Sequence, residues 1–141
     1  MKVHSVMTSN PACCTPSTPL REVARMMQKN DCGEIPVVES IDSGRPLGVV
    51  TDRDIVIRTL ANGRNPMELA AGDCMSSPAV TVTEDASLSD AVDLMESRQL
   101  RRVLVVDEEG CISGIVAQAD IALHGRDKVT GETVERISRK H

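Results

Sequence analysis

The stretch Gly48-Val49-Val50-Thr51-Asp52-Arg53-Asp54 decides how this chain is read. An apolar run ends in a hydroxyl residue, and a carboxylate stands three positions later, at the start of a predicted helix Asp54-Ile55-Val56-Ile57-Arg58-Thr59-Leu60. A strand that runs straight into a helix leaves unpaired backbone N–H groups at the positive end of the helix dipole. Such a junction can hold an anion, while a first-turn carboxylate can accept hydrogen bonds from a diol. A phosphorylated ribose carries both groups. The plainer reading is a capping box, because Thr-x-x-Asp is also the signature of a helix start. A degraded copy follows later, as Gly114-Ile115-Val116-Ala117-Gln118-Ala119-Asp120.

That copy is part of a repeat. Shifting the chain by 68 residues lays Met7 on Met75, Leu20 on Leu88, Met27 on Met95 and Val37-Val38 on Val105-Val106. Gly48 and Asp54 meet Gly114 and Asp120 at a shift of 66, so the gaps fall in loops. Each copy opens on a short segment with Met and Pro and continues through an extended piece, clearest as Ala79-Val80-Thr81-Val82. A helix follows. In the first copy Thr18 is expected to cap it, with Pro19 at the first helical position and a stripe of Leu20, Val23, Ala24 and Met27. In the second, Ser87 and Asp90 are expected to form a capping box ahead of Leu88, Ala91, Val92 and Met95.

Two apolar strands come next in each copy, joined by Asp42-Ser43-Gly44-Arg45-Pro46 or Asp107-Glu108-Glu109-Gly110. Ile35-Pro36-Val37-Val38 and Val103-Leu104-Val105-Val106 do not alternate, which predicts burial on both faces. Asn62-Gly63 and Gly125 are the expected stops of the closing helices. The chain therefore reads as α/β, two tandem β-α-β-β-α repeats. About 55 residues seldom hold a core alone, so the repeats are expected to pack on each other with pseudo-twofold symmetry. The expected divisions are residues 1–60, a connector over 61–73, residues 74–125, and a tail over 126–141 that forms a short helix or stays free.

Composition narrows the function. Phe, Tyr and Trp are absent and the net charge is -5, so there is no stacking platform for nucleic acid and no general attraction to phosphate polymers. No apolar run reaches the roughly 20 residues of a membrane span, and the N-terminus lacks the apolar region of a secretory signal, which places the chain by default in the cytoplasm. The cysteines are odd in number (five), without a C-x-x-C pair or spaced histidines, and read as reduced thiols packed as small hydrophobes, with no metal site. No nucleophile has a base within reach, and His4 and His124 lack an evident partner, so catalysis is not expected.

Taken together, Val6-Met7-Thr8, the helix with Met26-Met27, Ile35-Pro36-Val37-Val38 and Gly48 to Asp54, all recurring in degraded form, make the chain similar to the CBS-domain pair, or Bateman module. The resemblance covers roughly residues 3–123. It implies a stand-alone regulatory module that binds an adenosine-containing ligand (AMP, ADP, ATP, NAD(H) or S-adenosylmethionine) in clefts between the repeats, with no catalytic cofactor. It also implies a homodimer whose output passes to an effector protein.

By that resemblance Thr51 and Asp54 contact phosphate and ribose, Ile35 and Pro36 line the adenine, and Arg101 and Arg102 reach phosphates. Thr8, Arg53 and Asp120 complete the candidate set. The second copy departs from the pattern, since Ala117 replaces the hydroxyl residue and Leu104 the proline. The site with Thr51 and Asp54 is therefore expected to be the better of two. A ligand-independent dimerisation module is the rival reading.

Overall fold

The computed structural model describes residues 1–124, and the helix stop expected at Gly125 and the tail lie outside that range. The first repeat runs β1 (Thr8–Ser9), α1 (Leu20–Asn30), β2 (Glu34–Val38), β3 (Pro46–Thr51) and α2 (Asp52–Arg58). A 3-10 turn at Leu60–Asn62, another at Pro66–Glu68 and the single-turn α3 (Ala71–Cys74) come next. The second repeat then gives β4 (Thr81–Thr83), α4 (Leu88–Arg98), β5 (Arg102–Val106), β6 (Ile112–Ala117) and α5 (Gln118–His124). The mixed α/β order is the one the duplicated pattern predicts.

In space the chain does not divide at the repeat boundary. Among the described residues, one compact unit combines Met1–Asn10 with residues 80–124, and the other is Pro11–Ala79. The repeats have exchanged their opening segments. In the unit that holds the second repeat, a four-stranded sheet has the order β1-β6-β5-β4, with β1 of the first repeat antiparallel to β6 (Thr8 opposite Ile115) and β4 parallel to β5. The other unit repeats this order in reduced form. Its β2-β3 hairpin is flanked by a parallel bridge Cys14–Val37 and an antiparallel bridge Val49–Ser76, so the opening segment of the second repeat lies beside β3. Residues 61–73 fold onto this same unit, through bonds such as Leu20 N to Leu69 O (2.9 Å) and Ala71 N to Thr18 O (2.8 Å).

The exchange explains the glycine of each motif. A Cβ on Gly48 would collide with the backbone carbonyl of Ser76, and one on Gly114 would meet the Met7 side chain and lie 2.9 Å from the Thr8 carbonyl oxygen. Glycine at these positions makes room for a backbone packed across the strand.

The two cores correspond almost position for position. Val3, Val6, Ala91, Met95, Val103, Val105 and Val116 form one, and Ala71, Cys74, Val23, Met27, Ile35, Val37 and Val50 form the other. Both strands read as continuous apolar runs are buried at all four positions, 35–38 and 103–106.

Local details depart from the sequence expectation. Helix α1 begins at Leu20 with Pro19 as its N-cap and no side-chain cap, because the Thr18 hydroxyl accepts instead from Thr15 N (3.0 Å). Ala24 is exposed on that helix, outside the buried stripe. Ser87 does cap α4, its hydroxyl accepting from Asp90 N at 3.0 Å, which is half of the expected box. Helix α2 starts two residues earlier than predicted, at Asp52, and stops at Arg58; Gly63, in the left-handed region (φ 71°), ends the 3-10 turn after it.

Candidate functional site

The first junction is built on the β2-β3 hairpin. Thr51 is the last residue of β3 and the N-cap of α2, paired in register with Glu34. The helix start is fixed three ways. Asp52 N donates to Gly33 O (2.9 Å), Asp54 N donates to Thr51 Oγ1 (2.9 Å), and Thr51 N donates to Asp54 Oδ2 (3.1 Å). The last two bonds make a complete capping box. Asp54 thus spends Oδ2 on the backbone and keeps Oδ1 as its second acceptor, with Arg58 Nε 4.0 Å away. Arg53 is exposed beside it.

The second junction uses the same backbone with different side chains. Arg102, at the start of β5, pairs in register with Ala117, and Gln118 N donates to Arg101 O (2.8 Å), just as Asp52 N does to Gly33 O. Ala117 has no hydroxyl, yet Ala117 N still donates to Asp120 Oδ2 at 2.8 Å. Retention of Asp120 therefore has a backbone explanation, and does not by itself call for a ligand. A cavity of about 340 Å³ opens here, lined by Arg101, Arg102, Ala117, Gln118, Ala119 and Ala122.

The nine residues singled out in the sequence fall into two sets. Thr51, Arg53, Asp54, Ile35 and Pro36 belong to the unit of residues 11–79, and Thr8, Arg101, Arg102 and Asp120 to the other. Thr8 is exposed on the edge strand β1, two rungs from Ala117 along β6. The side chain of Ile35 is spent on the core, with 1% exposure. Pro36 is buried, and its carbonyl accepts from Cys14 N at 3.0 Å.

Two residues at the first junction were missed. Arg58 donates from its terminal nitrogens to Met75 O (3.3 Å) and Ser76 Oγ (3.4 Å) while facing Asp54. The spacing of four between Asp54 and Arg58 was the available signal. Nothing in the sequence announced that Ser76 would sit beside β3.

The cysteines are all free thiols. Cys14 and Cys74 are buried in one core, where the other core has Val82 packed against it and Val6 within it. Burial pushes the Cys14 thiol up to about 12, with Cys13 and Glu22 adding to the effect. Burial likewise raises Cys74 and Cys13. Among the described residues no group of three or more His, Cys, Asp or Glu could hold a metal ion, and no helix is long and apolar enough to cross a membrane.

Known proteins share this arrangement. The CBS domain pattern matches twice, over residues 3–59 and 71–126. A protein of Methanopyrus kandleri is 38% identical over 107 residues, 76% of this chain, although the match spans only 54% of that relative's length. The CBS domain-containing protein YhcV of Bacillus subtilis is 35% identical over 99% of this chain and 96% of its own. Among solved structures, hypoxic response protein I with two coordinated zinc ions has 33% identity and a TM-score of 0.79, covering 89% of this chain and 100% of that one. CBSX2 in complex with AMP has 25% identity and a TM-score of 0.72, covering 86% and 93%. With both of its repeats matched, this chain belongs to the CBS domain family.

Proposed function

We propose that the chain is a regulatory module that binds an adenosine-containing ligand (AMP, ADP, ATP, NAD(H) or S-adenosylmethionine) at its strand-to-helix junctions. Proteins built of CBS pairs are regulatory, and the AMP held by CBSX2 supports this ligand class. The observation that carries the reading is the cavity at the second junction, lined by Arg101 and Arg102. Its volume of about 340 Å³ lies within the roughly 300–1,000 Å³ of small-molecule sites.

Arg101 and Arg102 offer forked donors to phosphate there, and three alanines leave room for it. At the first junction Oδ1 of Asp54 is the acceptor for a ribose diol, with the Thr51 hydroxyl and Arg53 at hand for phosphate. Ligand that prefers one arrangement of the module shifts the population toward it, and a homodimer in the cytoplasm passes that shift to an effector protein. Neither nucleic acid nor membrane enters this scheme, and no catalytic cofactor does.

Calorimetric and thermal-shift titration of ligand-free protein with AMP, ATP, NAD(H) and S-adenosylmethionine tests the reading. No stabilisation by any of them overturns it. Asp54→Ala is expected to weaken binding about ten- to a hundredfold, as loss of a hydrogen bond to a charged group does, and Asp120→Ala much less. Equal losses would reverse the ranking of the two junctions.

One observation favours the rival, a ligand-independent interaction module. Both aspartates already have backbone partners. Under that reading Asp54→Ala leaves effector regulation intact.

A further inference from the structure

We infer that Arg58 is a positioning residue for the Asp54 carboxylate, an assignment that rests on the adenosyl-binding reading above. The carboxylate has one oxygen to offer, because Oδ2 is held by Thr51 N at 3.1 Å. What Oδ1 faces decides how it meets a diol, and it faces Arg58 Nε at 4.0 Å. That separation attracts the charge without filling the acceptor's lone pairs with a hydrogen bond, since 4.0 Å is beyond hydrogen-bond reach. Arg58 is also engaged on its other side. Its other two nitrogens donate to Met75 O at 3.3 Å and Ser76 Oγ at 3.4 Å.

The anchor is itself fixed. Ser76 exchanges backbone bonds with Val49 (Val49 N to Ser76 O at 3.0 Å and Ser76 N to Val49 O at 2.8 Å), and Gly48 makes room for it. A chain of contacts therefore runs from the opening segment of the second repeat through the guanidinium to the carboxylate. The planar fork of arginine suits this task, since it can engage two acceptors from one edge and present Nε along another. Lysine, a point charge on a flexible stem, has no such fixed geometry. In the second repeat the position matching Arg58 is His124.

Adenosine and AMP separate positioning from contact, because they share the ribose and differ in the phosphate. Calorimetric titrations of both into the wild type, Arg58→Gln, Arg58→Lys, Asp54→Asn and the Arg58→Gln/Asp54→Asn double variant make the test, with thermal melts reporting that each variant is folded. Arg58→Gln is expected to weaken adenosine and AMP by the same factor, about two- to fivefold, the scale of a partly exposed ion pair. Arg58→Lys recovers only part of this. In the Asp54→Asn background Arg58→Gln is expected to add nothing.

Unchanged affinity in Arg58→Gln overturns the assignment. So does a loss confined to AMP, which would make Arg58 a phosphate contact, and so do additive losses in the double variant. A wild type that binds neither ligand takes down the adenosyl reading itself, and the assignment with it.

Discussion

The two strand-to-helix junctions share a backbone and differ in almost everything attached to it. In both, the first helical N–H donates to the carbonyl that precedes the hairpin, at 2.9 Å for Asp52 to Gly33 and 2.8 Å for Gln118 to Arg101. In both, an aspartate in the first turn accepts from the backbone N–H of the last strand residue. The first junction adds a threonine hydroxyl and an arginine clasp, and the second adds two arginines around a cavity. The helix start is thus secured by backbone and carboxylate alone. Once that is so, the remaining side chains are free to diverge, one junction toward hydroxyl and carboxylate chemistry and the other toward cationic chemistry.

The sharpest way to break the equivalence is at the motif glycines. Gly48→Ala places a Cβ against the Ser76 carbonyl, where the exchanged backbone bonds leave nothing flexible to yield. We expect it to destabilise by about 3 kcal/mol, the upper part of the range for overpacking, read as a lowered urea midpoint. Gly114→Ala meets the adaptable Met7 side chain and, less closely than at Gly48, the Thr8 carbonyl oxygen at 2.9 Å, and is expected to cost less, about 1–2 kcal/mol. Equal costs would mean that the two opening segments are held with the same rigidity.

The cores permit a milder exchange. Cys14 sits where the other unit has Val82, since Cys14 bridges Val37 and Val82 pairs with Val105. A Cys14→Val change adds roughly a methyl group's volume to a packed core and is expected to cost about 1–2 kcal/mol at neutral pH. Its effect emerges in alkali. The Cys14 thiol is pushed from 9.0 to about 12 by burial, so the folded state keeps its proton where the unfolded chain has lost it. The unfolded chain then binds fewer protons, and stability, fully present below 9.0, falls as pH rises toward about 12. Urea midpoints in that interval should fall less steeply for Cys14→Val than for the wild type; parallel slopes would show that Cys14 is not a source of the alkaline loss.

Much of this was legible in the residues. The shift of 68 that aligned Met27 with Met95 and Val37 with Val105 aligned two cores, because residues that fill equivalent places must satisfy the same packing. The hairpins and both junctions followed from apolar runs bounded by turn residues. The exchange of opening segments was not legible. Thr8–Ser9 and Ser76 are too short to carry a periodic pattern, and which edge such a segment takes depends on where a glycine lets a backbone approach. Arg58 was hidden for the same reason, since its anchor Ser76 is 18 residues away in sequence. Thr18 failed as a cap because a nearer donor, Thr15 N, was available to its hydroxyl.

The smallest expected effect is also the most direct test of how the junctions differ. Thr51 fills both roles proposed for it, since its hydroxyl caps Asp54 N at 2.9 Å and would still have lone pairs for a ligand. Ala117→Thr supplies the missing hydroxyl where Asp120 Oδ2 already holds the N-cap backbone at 2.8 Å. The new side chain needs only to accept from Asp120 N to complete the box. We expect a gain of about 0.5–1 kcal/mol, with a matching loss in Thr51→Ala, the scale of N-cap exchanges. If both changes leave the urea midpoint where it was, the hydroxyl contributes nothing to the helix start. The presence of threonine at one junction and alanine at the other would then be a difference in what each junction binds.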